Sequence, residues 1–375
     1  MSCNRFLSCL ILFVFSAAVS LSVSAQTTLQ PQAQGNAQNA PQSEKAKAPE
    51  SHTGDARDHA NNENDSPIEK SELHNPVLWH DPGAISSLDL FYGQGGKAGQ
   101  PASPFTFESE DRTGSNPKFE VSDKDGRKWK VKLGDEARPE VVASRLLWAT
   151  GYFVNDDYLM KSAEVKGLHL NRGQEHVKEE LVKDARFARK PTGQKKIGIW
   201  NWKENPFTGT REFNGLRVMM AVMNNWDLKD VNNAVFLDAK TGREIFLASD
   251  IGATFGTNGL SWTKARSKGN ISSFKNSRFI LRASDTELDF ATPRPPTAVL
   301  VETAGFSAKE YANRSGLNWI GNNIPRADAR WIGSLLKQLT HQQLVDAFRA
   351  GNFPPDQIDA YVEVVESRIQ ELSQL

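Results

Sequence analysis

The chain has 375 residues and no net charge at neutral pH, with 45 basic against 45 acidic side chains. That balance argues against a generic nucleic-acid binder, which would usually be basic overall. Its two cysteines, Cys3 and Cys9, both lie at the N-terminus.

Arg5, the apolar run over residues 6–23 and the small-x-small pattern Val23-Ser24-Ala25 are the three parts of a secretory signal peptide, and we place cleavage after Ala25. The run is Ser-rich and barely long enough to span a bilayer, which favours cleavage over a membrane anchor. A lipid anchor on Cys9 is disfavoured because most of the apolar run follows it. Removal of residues 1–25 takes both cysteines with it and rules out disulfides, a thiolate nucleophile or a cysteine metal site in the mature chain. The expected location is periplasmic or extracellular, and no later run is apolar enough for a transmembrane segment.

Residues 26–75 read as a disordered linker. From Gln26 to Pro76 there is no aromatic residue, and Leu29, Ile68 and Leu73 are the sole large aliphatics. Such a segment cannot bury enough apolar surface to offset chain entropy. Order is expected from residue 76 to 375.

In that domain, strands are expected at 104–108 and 118–121. The turn signal Asp123-Lys124-Asp125-Gly126 precedes a third at 127–133. Within it Trp129, Val131 and Leu133 alternate with Lys128, Lys130 and Lys132, as in a half-buried strand. Pro139 suits the first turn of a helix whose stripe is Val141, Val142, Leu146, Leu147 and Ala149, ended by Gly151. A strand is read over 165–170, and residues 171–199 are basic with little pattern. A second helix is expected over 212–224, then a hairpin of strands 234–237 and 243–248. Helices near 327–339, 341–349 and 355–372 follow, with Thr340 as an N-cap and Gly351 as a stop. The fold class is α+β: a small antiparallel sheet carrying one helix (76–165), then a mainly helical part with a hairpin (166–375), with a cleft between two lobes.

Phosphoryl transfer needs a cation for the phosphates, metal ligands and a carboxylate beside the attacking hydroxyl. The segment Asn225-Trp226-Asp227-Leu228-Lys229-Asp230-Val231-Asn232 enters the hairpin and Ser249-Asp250-Ile251-Gly252 leaves it. A hairpin brings its ends together, so Asn232 and Asp250 should converge as hard-oxygen ligands for Mg²⁺. Asp227 would face a substrate hydroxyl, and Lys229 would neutralise the transferring group. Asp and Asn are also common in plain turns. In Val131-Lys132-Leu133-Gly134-Asp135-Glu136-Ala137-Arg138-Pro139-Glu140, a strand-end lysine precedes a helix-start acid, which is also a common way to complement a helix dipole. The loop Asp111-Arg112-Thr113-Gly114-Ser115-Asn116 is a candidate phosphate cover or an ordinary turn. Lys264, Arg266, Lys268, Lys275, Arg278 and Arg282, with no acid among them, form a basic stretch for an anionic substrate or a solvated loop. His169 and His176 match no zinc pattern, and no G-x-S-x-G, H-E-x-x-H or G-x-G-x-x-G motif occurs.

Asp227-Leu228-Lys229 through Asn232, followed by Asp250-Ile251-Gly252, resembles the catalytic loop and metal-binding D-x-G of the protein-kinase-like fold. The Lys132 to Glu140 segment is similar to the K-x-G-D-D-x-R-Q-D stretch of phosphoinositide 3/4-kinases, and the layout is similar to HipA-type and secreted atypical kinases. The resemblance spans about residues 100–300 at motif level. It implies that Lys132 holds the α- and β-phosphates of ATP with Glu140 as its partner. Asp227 is then the catalytic base, and Asn232 or the adjoining Asn233, with Asp250, ligates Mg²⁺ or Mn²⁺. Trp226 stands where common protein kinases have an Arg after a His, and Lys130 stands where they place a small or aliphatic residue under the adenine. The expected partners are a nucleotide and an anionic protein or small molecule. The alternatives are a kinase-like pseudoenzyme that binds without catalysis and an unrelated exported metal- or sugar-binding domain.

Overall fold

Strands with one apolar face need a partner for that face and for both edges, and the first half of the domain meets both needs by closing on itself. The computed structural model describes residues 66–113, 116–189, 193–256, 268–292 and 316–375. The signal segment and most of the expected linker fall outside these. After β1 (Pro76–Val77) come β2 (Phe105–Asp111), β3 (Lys118–Ser122), β4 (Lys128–Lys132), helix α1 (Ala137–Ala149), β5 (Asp157–Lys166), β6 (Val177–Lys178) and β7 (Leu181–Arg189). The order β4-β3-β2-β5-β7, with β4 also paired to β7, makes a closed five-stranded barrel, and β6 adds to the outside of β7. This corrects the expectation of a small antiparallel sheet: the ring is closed, and β2 runs parallel to β5. Closure removes the exposed edges an open sheet would carry.

Phe105, Phe119, Val121, Trp129, Val131 and Phe187 fill the barrel and are fully buried. The indole N–H of Trp129 donates to Asp123 Oδ2 at 2.9 Å. Asp123 Oδ1 in turn accepts the backbone N–H groups of Asp125 and Arg127, so the expected turn is tied to the core. Strand β5 ends at Lys166, where a strand over 165–170 was expected. Helix α1 packs on β5 and β7 and is buried along most of its length.

The second half holds β8 (Gln194–Gly198), α2 (Arg211–Val222), β9 (Asn233–Asp238) and β10 (Glu244–Ala248). These strands form a sheet ordered β1-β10-β9-β8. Helices Arg326–Leu336, His341–Ala350 and Pro355–Ser373 complete a core around Phe255, Phe274, Phe348 and Tyr361. The second of these helices carries a full capping box between Thr340 and Gln343. Among the described residues no helix is long and apolar enough to cross a membrane.

Residues 66–75, at the end of the expected linker, are tied to the edge of this sheet and to Ile199 by hydrogen bonds. Pro67 bridges Ile199, and Ile68 donates its N–H to the Ile199 carbonyl at 3.0 Å. The carboxylate of Glu244, 5% exposed, accepts the N–H groups of His74 and Asn75. Backbone pairing anchors the segment, and backbone pairing leaves no trace in composition.

Candidate functional site

Alternation along β4 turns Trp129 and Val131 into the barrel and the lysines outward. Helix α1 then covers the end of the strand, leaving Lys132 only 3% exposed. Its ammonium lies 2.8 Å from Glu140 Oε2, 2.9 Å from Asp250 Oδ1 and 3.1 Å from Glu136 Oε2. Arg186, the cross-strand neighbour of Lys132 on β7, reaches Asp157 at 2.8 Å and Glu140 at 3.3 Å. Lys268 reaches Glu136 at 2.5 Å. The connected network thus holds four carboxylates (Glu136, Glu140, Asp157, Asp250) and three cations (Lys132, Arg186, Lys268), one negative charge in excess.

Burial pushes Glu140 up to about 7, against the pull of Arg186 and Lys132 and with help from Asp250 and Asp157. Burial also opposes the charge on Asp250. There Lys132, by charge and hydrogen bond, with Lys118 and Arg186, prevails and holds the carboxyl well below the usual range. Lys132 is desolvated too, yet Asp250, Glu140 and Glu136 raise it above an ordinary lysine. The ammonium is therefore permanently charged.

The segments before and after the β9–β10 hairpin are laced together. The carbonyl of Asn232 accepts the N–H groups of Ser249 and Asp250 at 2.9 and 3.0 Å. Trp226 donates its N–H to Ala253 at 3.1 Å, and Phe255 donates to Met223 at 2.8 Å. The side-chain amide of Asn232 donates to the Asp227 carbonyl at 2.6 Å, which leaves its oxygen as the ligand atom. Asn225 Oδ1 accepts the Asp227 N–H at 3.0 Å. Lys229 Nζ lies 3.6 Å from Asp227 Oδ2. Gly252 sits against α1: a Cβ there would lie 2.6 Å from the Cβ of Glu136.

Divalent cations of the Mg²⁺ kind take hard oxygen ligands. Glu136, Glu140 and Asp250 offer oxygens within 4.8 Å of one another, but Lys132 already lies among them as their cation. Asp250 is the member open to solvent, with 39% of its side chain exposed against 1% for Glu140. Its exposed face and the side-chain oxygen of Asn232 are the hard oxygens such an ion would use. Asn233 does not compete, because its amide is buried and donates to the Trp200 carbonyl at 3.1 Å.

Other candidates stay apart. Lys130 pairs with Asp111 at 2.7 Å. His169 packs on Phe107, while His176 lies 3.5 Å from Glu175. Gly114 and Ser115 of the phosphate-cover loop, and Lys264 and Arg266 of the basic stretch, lie outside the described residues. The described part of that stretch does not converge: Lys268 turns to Glu136, whereas Arg282 binds Asp289 at 2.6 Å. A separate cleft of about 430 Å³, lined by Gly134, Arg138, Lys178, Lys268 and Phe353 among others, includes none of Lys132, Glu140, Asp227, Lys229, Asn232 or Asp250. Glu136, Asp157 and Arg186 have no role in the sequence reading, and Lys268 enters it only as part of the basic stretch, not as a partner of Glu136. The i,i+4 spacing of Lys132 and Glu136 is the one signal that pointed to any of them.

No family model and no curated protein matches the chain. Among solved structures it is similar to the Helicobacter pylori proinflammatory kinase CtkA, at 12% identity and a TM-score of 0.33, over 72% of this chain and 97% of that one. A likeness of that size assigns neither fold nor function.

Proposed function

We propose that the protein is an exported, atypical kinase-like phosphotransferase that moves the terminal phosphoryl group of Mg-ATP to a hydroxyl-bearing anionic protein or small molecule. The observation that carries this reading is the buried Lys132, ion-paired at once with Glu140 of α1 and with Asp250 at the hairpin exit. In this reading the barrel with α1 is the nucleotide-covering lobe, and the helical part supplies the loops that act on the substrate.

Lys132 holds the α- and β-phosphates, and Glu140, itself fixed by Arg186, keeps the lysine in place. Asp227 accepts the proton of the substrate hydroxyl as its oxygen bonds to the γ-phosphorus. The bond from that phosphorus to the bridging oxygen breaks, and its electron pair leaves with ADP. Lys229, beside Asp227, balances charge on the group in transit. Mg²⁺ or Mn²⁺, held by Asp250 and Asn232, would neutralise phosphate charge.

The test is thermal melting of the chain from Gln26 with Mg-ATP, Mn-ATP, other nucleotides and metal alone, beside Lys132→Ala and the milder Asp250→Asn. A ligand specific for the folded state adds about 2.7 kcal/mol at a hundredfold excess over its Kd. A metal-dependent nucleotide shift lost in both variants supports the reading. Asp227→Asn should keep that shift and abolish phosphate transfer. Binding without transfer by the parent chain would make it a nucleotide-binding module. No shift with any nucleotide, in a folded sample, would reject the reading.

A further inference from the structure

The cleft of about 430 Å³ beside α1 contains none of the groups assigned to phosphoryl transfer, and three parts of the chain build it. Asp184 of β7 is their junction. One of its oxygens meets Arg138 of α1 at 3.0 Å, and the other accepts the side-chain amide of Asn352 at 2.8 Å. Asp184 and Asn352 both take left-handed backbones, with φ of +47° and +51°. Outside glycine such conformations cost free energy and persist where the surroundings fix them, so this clamp shapes the cleft ahead of any ligand. The most buried lining groups are apolar, Pro139 and Phe353, with Leu181 on the barrel side. Around them stand Arg138, Lys178, Lys183 and Lys268 against Asp135, Glu175 and Asp184, one positive charge in excess. Asp184 is committed to the clamp, and the Glu175 side chain is 71% exposed beside His176. Arg138 gives Asp184 one nitrogen of its guanidinium, and Lys268 meets Glu136 at 2.5 Å. A guanidinium has five N–H donors and an ammonium three, so each keeps donors for a ligand. The first turns of α1 and of helix Pro355–Ser373 line the same space, and helix N-termini add to a potential that favours anions. The volume is that of a small-molecule pocket and far below what a folded partner would cover.

We propose that this cleft binds a small organic anion, with its carboxylate or phosphate held by Arg138 and Lys268 and its apolar body laid on Pro139 and Phe353. The site is separate from the one that holds Lys132, and its occupancy does not depend on the phosphotransferase reading.

The experiment is calorimetric titration of the full chain as exported, without nucleotide or metal, using benzoate, phenyl phosphate, inorganic phosphate and phenol. Phenyl phosphate should bind about tenfold more tightly than inorganic phosphate, because the ring leaves water. Phenol, which lacks the charge, should not saturate. Comparison of benzoate with phenyl phosphate shows which anionic group the cleft prefers. Arg138→Gln and Lys268→Gln should each weaken the preferred aryl anion by about tenfold, with melting curves showing both variants folded. Lys337→Gln, at an exposed lysine outside the cleft, should change nothing. Failure of both aryl anions to saturate the parent chain at millimolar concentration overturns the proposal. So does binding that survives both cleft substitutions, or an equal loss in all three variants. Aryl-anion binding in a chain whose melting no nucleotide shifts would leave this proposal standing while the phosphotransferase reading falls.

Discussion

Replacing Lys132 with Met tests whether the charge network is what joins the barrel to the hairpin loops. The change keeps an unbranched stem and removes one cation from among three carboxylates, of which Glu140 and Glu136 are 1% and 7% exposed. Stripping one partner from a buried ion pair costs about 3–5 kcal/mol. The cost should depend on pH, because the uncompensated group can take up a proton. Glu140 titrates at about 7 in the folded protein, above its ordinary 4.5. A carboxyl with a raised folded-state pKa favours folding while protonated, and that contribution is lost as pH rises through the folded value. From pH 8 to pH 6 the parent protein should therefore gain on the order of 1 kcal/mol from this group. Without Lys132 the pKa rises further, the variant gains more over the same interval, and the difference between the two proteins narrows by about 1 kcal/mol. Urea unfolding followed by tryptophan fluorescence, for both proteins at both pH values, measures this directly. A loss below about 1 kcal/mol at pH 8, or a loss independent of pH, would refute the argument that Lys132 is the network's central charge.

Two further substitutions separate the site from the scaffold. Gly252→Ala sets a methyl 2.6 Å from the Cβ of Glu136 and 3.1 Å from its carbonyl oxygen. Overpacking of this kind costs about 1–3 kcal/mol, and the displaced loop carries Asp250, so urea melts and Mg-nucleotide titration should both register the change. Thr340→Ala removes the capping box of helix His341–Ala350. It should cost about 1 kcal/mol, read by circular dichroism melting, with no effect on nucleotide binding.

Local pattern was legible where each residue's environment follows from its neighbours in sequence. Strand β4, helix α1, the β9–β10 hairpin and the three C-terminal helices appear within a few residues of where alternation, turn residues and caps place them. Strand β7 was not legible, and with it the closure of the barrel. Its inward residues Val182, Ala185 and Phe187 break the two-residue period, because Asp184 takes a φ of +47° and shifts the strand's phase. Arg186, in the same stretch, reads as one more surface cation yet is 3% exposed. Its burial is tolerable only because Glu140 and Asp157 arrive from α1 and β5, a pairing fixed by the fold.

The same distinction divides the candidate site. Asp227, Asn232 and Asp250 could be grouped from sequence because one hairpin joins them, and its ends meet through the Asn232 carbonyl. Lys132 and Glu140 could be paired because one strand-to-helix turn separates them. What spacing could not supply is the contact between those two groups, from Lys132 Nζ to Asp250 Oδ1 at 2.9 Å. That contact exists because Gly252 lets the loop after β10 lie against the start of α1, where any side chain would collide with Glu136. A lysine held there among acids of two chain segments is pre-placed before any ligand arrives. The entropy of fixing its long side chain is then met in folding rather than in binding.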